Sequence, residues 1–376
     1  MIWLNREVCG KLCKFHLMKN WHLFLSGLFL LTFYLQTASA QDPQLAQFSS
    51  APLLTNPALT GVFDGEYRIH VNYREQWGVI LKDRLFRTVA AGFDWRMPVG
   101  RGDYAGFGLV AMRDQTGDGR FTQNRVHLSG AFMKELSGNG YRTADQYLIA
   151  GGQIGFGQHA LEWGNLWFSN QFDNLAVRPD LTLSPNDPGI NTDRANLTYA
   201  DANVGIMYYA VFDERFSVYF GGAAHHLNTP KISFSGGEEE LAMRVSVQAG
   251  GELPVTDEVS ILPGVLFVSQ GPSMQTLAGA AVRFSNYQWG PMALRVGAWA
   301  RMTNRVSKEP ETVTTGVESV VAMAFLELEA LSIGLSYDIT ATDLTTVNSG
   351  RGAFELSLVY RQPPARRRPK VSCPNF

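Results

Sequence analysis

The sequence predicts an all-β fold, a transmembrane antiparallel up-and-down β-barrel of about 14 strands in an outer membrane. Three observations predict this fold. Many segments alternate apolar and polar residues with a period of two, most of these segments are long, and short connections alternate with long ones. A spanning strand needs about 9–11 residues, whereas strands of soluble proteins average about five to six.

The composition excludes two classes of protein before any segment is considered. The 376 residues are 45% hydrophobic, 12% aromatic and 18% charged, which is too apolar for a disordered chain. The formal net charge of −2 lacks the basic excess of a nucleic-acid-binding protein, so no nucleic-acid partner is expected.

The first element in the chain is a predicted signal peptide over residues 1–40. An apolar run, Trp21–Leu35, follows three lysines and precedes Ala38-Ser39-Ala40, which predicts cleavage between Ala40 and Gln41. The run is short for a spanning helix, and a membrane anchor is the alternative interpretation. Cleavage would remove four basic residues and one acidic residue, leaving 28 against 33 and a net charge of −5.

The strands come next, and each shows alternation. Between Leu331 and Ile339 every second residue is apolar, and Ser332, Ser336 and Asp338 lie on the opposite face. One polar and one apolar face per strand is the pattern of a membrane barrel, although a secreted soluble β-protein is the alternative. The predicted strands are 67–77, 85–97, 103–113, 125–136, 145–157, 199–212, 215–227, 241–252, 258–269, 276–286, 292–303, 317–327, 331–341 and 352–361.

The connections then predict the topology. Those after even-numbered strands have about 2 to 8 residues and those after odd-numbered strands about 6 to 41, as expected for short periplasmic turns and longer external loops. An even strand count predicts that both termini are periplasmic. The predicted organisation is a periplasmic N-terminal segment at 41–66, a barrel at 67–361 with a long external loop at 158–198, and a basic periplasmic tail at 362–376.

No catalytic, cofactor-binding or metal-binding residue is predicted. His225 and His226 are adjacent in a predicted strand, where neighbouring side chains point to opposite faces, so they are not expected to share a metal. The glycines between Gly151 and Gly157 lie within a strand and not before a helix, so close packing or curvature is expected there, not phosphate binding.

Two segments outside the regular strands are candidate partner contacts. In the long loop, the aromatic residues are expected either to plug the lumen, to contact a partner or to pack as an external cap. In the tail, the arginines are expected to bind acidic periplasmic partners or lipid phosphates, or to be solvated. The candidate residues are Trp163, Trp167, Phe168, Phe172, Arg366, Arg367 and Arg368.

Motifs at both ends of the chain resemble the PorP/SprF family. The opening contains Gln41-Asp-Pro-Gln-Leu-Ala-Gln-Phe48 and Asn56-Pro-Ala-Leu-Thr-Gly61, followed by Val71-Asn-Tyr-Arg-Glu-Gln-Trp77. The end contains Ser336-Tyr-Asp338, Gly350-Arg-Gly-Ala-Phe-Glu-Leu-Ser357 and Cys373-Pro-Asn-Phe376. The segment Leu166–Asp173 also resembles an aromatic segment of that family, and the long basic tail departs from its pattern.

The resemblance implies a non-enzymatic outer-membrane barrel of the type IX secretion system of Bacteroidota. It implies lipid, secretion components, periplasmic ring proteins and a large secreted adhesin or other cargo as partners, with roles in adhesin export or attachment and gliding motility. A general porin or solute channel is the alternative function, and an outer-membrane enzyme such as a lipase is a weaker one. The motif residues, expected to be structural, are Phe48, Asn56, Pro57, Asn72, Tyr73, Arg74, Gln76, Trp77, Tyr337, Asp338, Gly352, Phe354 and Glu355.

Overall fold

Long antiparallel strands form a closed barrel in the computed structural model. The structure describes residues 41–81, 86–100, 102–136, 144–173, 178–180, 195–213, 215–234, 237–286, 290–306, 313–342 and 345–363. The predicted signal peptide, most of the basic tail and Cys373 lie outside these residues.

The described residues contain sixteen strands, of which fourteen form the barrel, and all fourteen predicted strands are present. The barrel strands are β1 (Tyr67–Gln76), β2 (Phe86–Pro98), β3 (Tyr104–Thr116), β4 (Phe121–Glu135), β5 (Asp145–Ala160), β8 (Asn196–Asp213), β9 (Phe216–His225), β10 (Arg244–Pro254), β11 (Val259–Gln270), β12 (Ser273–Ser285), β13 (Ala293–Val306), β14 (Val313–Glu327), β15 (Leu331–Thr340) and β16 (Arg351–Arg361). The two remaining strands, β6 (Phe172–Asp173) and β7 (Arg178–Pro179), form a small separate sheet.

Sequential barrel strands are neighbours, and the first strand pairs with the last. On β1, Asn72 lies opposite Ala90 of β2 on one side and Ser357 of β16 on the other. Every pair is antiparallel, so the predicted fold class is confirmed. Closure leaves no unpaired sheet edge, which is what allows strands to lie in lipid.

The period-two alternation divides the barrel into an apolar exterior and a polar interior. On β5, Ile154 and Phe156 are 68% and 69% exposed on the outer face. Gln153, which directly precedes Ile154 and points to the opposite face, is buried. Near one rim, the rings of Tyr67 and Tyr360 lie 6.0 Å apart, as expected of an interfacial aromatic belt. Among the described residues, no helix is long and apolar enough to cross a membrane.

The two ends of the barrel differ. We call the end that holds Tyr67 and Arg361 the base, and the opposite end, which holds Gln76 and Phe86, the mouth. The mouth carries the 161–195 and 226–243 connections. Two connections predicted to be long are tight turns, 117–120 and 271–272, because the strands continue through polar residues that face the lumen.

In the part of the chain that the structure describes, the helical elements are all short. Before the barrel lie α1 (Pro52–Thr55) and the 3-10 helices Phe48–Ser50 and Pro57–Leu59. At the mouth lie α2 (Gly78–Leu81), α3 (Thr345–Asn348) and, within the long loop, the 3-10 helices Trp163–Asn165 and Ser169–Gln171.

Candidate functional site: a plug inside the barrel

The described residues before β1 occupy much of the interior of the barrel. We call residues 41–63 the plug. Gln41 lies at the mouth, where it shares a cavity with Gln76 and Thr116, and the plug reaches the base, where Glu66 N donates to Gln362 O. The sequence predicts a periplasmic segment here, with both termini on one side of the membrane. The structure packs the segment into the lumen, with Gln41 at the mouth and Gln362 at the base. The side of the membrane that each end faces stays a prediction.

Apolar side chains of the plug pack in two places along the lumen. Phe48 contacts the Trp299 ring edge to face at a centroid distance of 5.6 Å, beside the buried Leu277. Nearer the base, Leu59 and Val62 lie fully buried in a second cluster with wall residues. Burying one such large side chain contributes about 1.5–3 kcal/mol. The second cluster is formed with Met133, Tyr147, Ile149, Met207, Tyr209 and Val211.

Where the plug backbone approaches the wall most closely, the wall residues are glycines, which leave room because they have no side chain. A methyl group on Gly151 would lie 2.5 Å from Pro57 O, and one on Gly106 would lie 2.2 Å from Thr60 O. These distances are far below van der Waals contact, so only glycine fits. The close packing expected for Gly151 therefore occurs against the plug.

Asn56 joins the plug to two strands. Its Oδ1 accepts a hydrogen bond from Ala58 N at 2.8 Å and so caps the 3-10 helix that Pro57 begins. Its Nδ2 donates to Ile206 O at 3.3 Å and to Gly222 O at 3.2 Å, on β8 and β9. The Asn-Pro pair thus starts a turn and fixes its position on the wall.

At the mouth end of the plug, Asp42 is surrounded by positive charge. Its carboxylate lies 2.5 Å from Arg125 Nη2, 2.8 Å from His226 Nε2 and 3.3 Å from Arg244 Nη1. Its backbone N–H donates to Gln270 Oε1 at 2.9 Å. The Asp42 side chain is 1% exposed, so these contacts are shielded from water.

Asp42 and His226 lie outside the spanning strands and stabilise each other's charged form. Burial alone would raise the pKa of Asp42, but Arg125, His226 and Arg244 hold the pKa of its carboxyl well below the usual range. Burial would lower the pKa of His226, but Asp42 and Asp201, whose Oδ1 lies 2.9 Å from Nδ1, raise that pKa.

His226 also corrects an expectation from the sequence. His225 and His226 were predicted to point to opposite faces, but both are buried in the lumen, at 4% and 1% exposure. The strand ends at His225, and His226 adopts a left-handed φ of 58°, which turns its side chain inward. Among the described residues, no group of three or more His, Cys, Asp or Glu is placed to hold a metal ion.

In the middle of the plug, the partner is a carboxylate from the last strand. Glu355 accepts hydrogen bonds from Ala46 N at 2.7 Å and Gln47 N at 2.9 Å. Arg74 contacts the same carboxylate and also Asp338 at 3.1 Å. Motif residues from both ends of the chain therefore meet at one point, because β1 pairs with β16.

At the base end, an ion pair of the wall clamps the plug backbone. Arg68 and Asp94 form a bidentate pair, at 3.0 and 2.7 Å. Arg68 also donates to the carbonyl oxygens of Leu59 and Val62, and Asp94 accepts from Gly61 N at 2.8 Å. Arg68 and Asp94 make these hydrogen bonds to the backbone only when the plug is in place.

The remaining motif residues lie on the wall and at its rim. Tyr337 and Phe354 lie opposite each other on β15 and β16, each 42% exposed on the outer face. Trp77 follows β1 at the mouth and contacts Phe86 edge to face at 5.3 Å. The other four are Asn72, which is buried in the lumen, Tyr73, which donates to Glu75, Gln76, which accepts from Arg74, and Gly352, whose carbonyl oxygen accepts from Trp77 N at 3.0 Å.

The predicted loop aromatics lie at the mouth and not in the lumen. Trp163 contacts Phe168, with centroids 6.4 Å apart, and Trp167 stacks on Phe172 at 5.6 Å. They form two pairs and do not plug the barrel. Arg366, Arg367 and Arg368 lie outside the described residues.

Sequence reasoning missed most of the residues that hold the plug. Arg68, Asp94, Arg125 and Arg244 were not singled out, because each is one polar residue among many on an inward-facing strand pattern. His226 was considered only as a metal ligand. The charge of those positions was a signal that the lumen is occupied. In a lumen filled with water, charged side chains are solvated and do not need to form buried Asp–Arg pairs. Their partners, however, lie tens to hundreds of positions away, as for Arg125 and Asp42.

Residues 37–360 match the family model described as Type IX secretion system membrane protein PorP/SprF. No curated protein matches the chain in sequence.

The chain is also similar to several solved barrels. One is the TodX deltaS2S3 mutant monoaromatic hydrocarbon channel, at 12% identity and a TM-score of 0.44, covering 82% of this chain and 92% of that one. Others are a mutant of the Rh. blastica porin (10%, TM-score 0.30, 78% and 98%) and BamA from Haemophilus ducreyi lacking POTRA domains 1-3 (9%, TM-score 0.38, 79% and 70%). At these values the likenesses carry no argument about function.

Proposed function

This chain belongs to the type IX secretion system membrane protein PorP/SprF family, and we propose that it serves that system as a plugged, non-enzymatic outer-membrane barrel that anchors or guides secreted surface proteins. Adhesin export or attachment in gliding motility is the role we propose for it. In this proposal the base faces the periplasm and its ring components, and the mouth faces outwards.

The observation that carries the proposal is the plug. A general porin needs an open, water-filled lumen. Here the lumen is occupied from mouth to base by residues 41–63, which are fixed at Asp42, at Ala46–Gln47 and at Gly61 by buried charged side chains of the wall. A barrel closed in this way suits attachment and guidance better than solute flow.

Planar-bilayer conductance distinguishes the two functions. The purified protein is expected to stay nearly closed, while a variant lacking residues 41–60 is expected to conduct, because most of the plug is then absent from the lumen. Heat-modifiable mobility of both proteins in gel electrophoresis controls for barrel folding. Steady conductance of the unmodified protein would favour a porin.

Co-purification tests the secretion role. Extraction in mild detergent is expected to recover type IX components or a large secreted protein together with this chain. Recovery of neither, from cells that secrete normally, would contradict the proposed function.

A further inference from the structure

The mouth contains a polar cavity that the plug closes from below. The cavity has a volume of about 600 Å³, and we call it the cup. Residues Gln41–Gln44 form its floor, and its walls come from β1 to β4 and β12 to β14. Because the floor is the start of the plug, a molecule that enters the cup binds there and does not pass through.

The side chains that line the cup are complementary to peptide groups. Carboxamide and hydroxyl groups are the most common lining groups, for example those of Gln76, Gln123 and Thr303. A carboxamide offers both donors and an acceptor, as a peptide group does. Carboxylates of Asp114 and Glu318 line the cup together with arginines, so neither an anion nor a lipid chain is favoured.

A row of four aromatic side chains leads away from the cup, and we call this row the ledge; its members are Phe121, Phe234, Trp163 and Phe168. Phe121 lines the cup and contacts the Phe234 ring at 6.3 Å; Trp163 contacts Phe234 at 6.2 Å, and Phe168 follows at 6.4 Å from Trp163. These four rings are half-buried, so each presents apolar surface at the mouth. Aromatic residues in such positions are the usual anchors of protein interfaces.

We propose that the cup and the ledge together bind a short extended segment of a secreted polypeptide, with its backbone in the cup and an apolar side chain on the ledge. The inference rests on the proposed function and adds the place and the chemistry of recognition. The two signs of charge in the cup favour a segment without strong net charge. A carbohydrate could also bond to amides and hydroxyls, and the experiment distinguishes it.

Site-specific photo-crosslinking in secreting cells tests the proposal. The photoreactive residue p-benzoylphenylalanine is placed at position 303, in the cup, and in a matched strain at position 256, where Thr256 is exposed in a turn at the base. The position-303 protein is expected to give an adduct whose added mass is a peptide of a secreted polypeptide, and the position-256 protein is not expected to capture that polypeptide, even where it captures a periplasmic protein at the base. No adduct at 303, an adduct of sugar mass, or equal adducts of the same secreted polypeptide at both positions would overturn the proposal.

A ledge variant provides a second measurement. Trp163→Ala with Phe168→Ala is expected to lower the position-303 adduct yield about tenfold, the effect of losing typical aromatic anchors. Trp167→Ala is the control, because Trp167 stacks on Phe172 and does not belong to the ledge. An unchanged yield in the double variant would remove the ledge from the binding site.

The same cells separate this inference from the proposed function. If type IX components co-purify with the position-303 protein but no peptide adduct forms, the proposed function stands and the cup proposal is wrong. If neither is recovered, the proposed function itself is contradicted.

Discussion

Asp42 is the single side chain on which the mouth end of the plug depends. Asp42→Asn keeps the size of the side chain but removes the carboxylate that contacts Arg125 and Arg244 in a buried site. Removing one partner of a buried ion pair costs about 3–5 kcal/mol, so we expect the barrel to unfold at a clearly lower denaturant concentration. Asp257→Asn, at a fully exposed carboxylate, should not shift the transition. An unshifted Asp42→Asn protein would show that the ion pairs do not hold the plug.

His226 gives this cluster a pH dependence. Its pKa is raised in the folded protein, so the stabilisation is fully present below the unfolded pKa of about 6.5 and is lost as the pH rises through the folded pKa. We expect the thermal unfolding midpoint in detergent to fall as the pH rises above about 6.5. In His226→Gln that part of the fall should disappear. The same fall in both proteins would mean that another group titrates.

At the scale of elements, the fit between plug and wall depends on glycine. Gly151→Ala places a methyl group 2.5 Å from Pro57 O, and overpacking of this kind costs about 1–3 kcal/mol. We expect a lower unfolding midpoint and easier proteolysis of the plug. Gly152→Ala is the matched control, because its methyl group would lie on the outer face, 3.6 Å from the nearest atom. Equal behaviour of the two variants would contradict the close packing.

The strands could be predicted from sequence, but the plug could not. Period-two alternation is a local signal, and lipid outside with polar groups inside enforces it on every strand, as between Leu331 and Ile339. The plug has no such period. Its place is set by contacts between residues far apart in sequence, such as Ala46 N and Glu355, 309 positions away. The tight turn at 117–120 was not predicted for a related reason. At the ends of β3 and β4, polar residues that face the lumen have the sequence composition of a loop.

At the scale of the whole molecule, the two ends of the described chain lie at opposite ends of the barrel. In a Cys373→Ser background, we expect a membrane-impermeant maleimide to label Gln41→Cys on intact cells. We expect the same labelling of Pro272→Cys, which serves as the control at the mouth. Pro363→Cys, at the base, should react only after the outer membrane is opened. Labelling of position 363 alone on intact cells would show that the barrel is inserted in the opposite orientation.

The shared contacts at Glu355 bear on how the molecule is assembled. The carboxylate sits on β16, and its partners are Arg74 on β1 and the backbone of Ala46 and Gln47. A finished barrel offers residues 41–63 no side entrance, so we expect this segment to lie against the growing sheet before β1 meets β16. The segment would then be a template around which the sheet curls, and the joining of the first and last strands would also be the step that locks it in place.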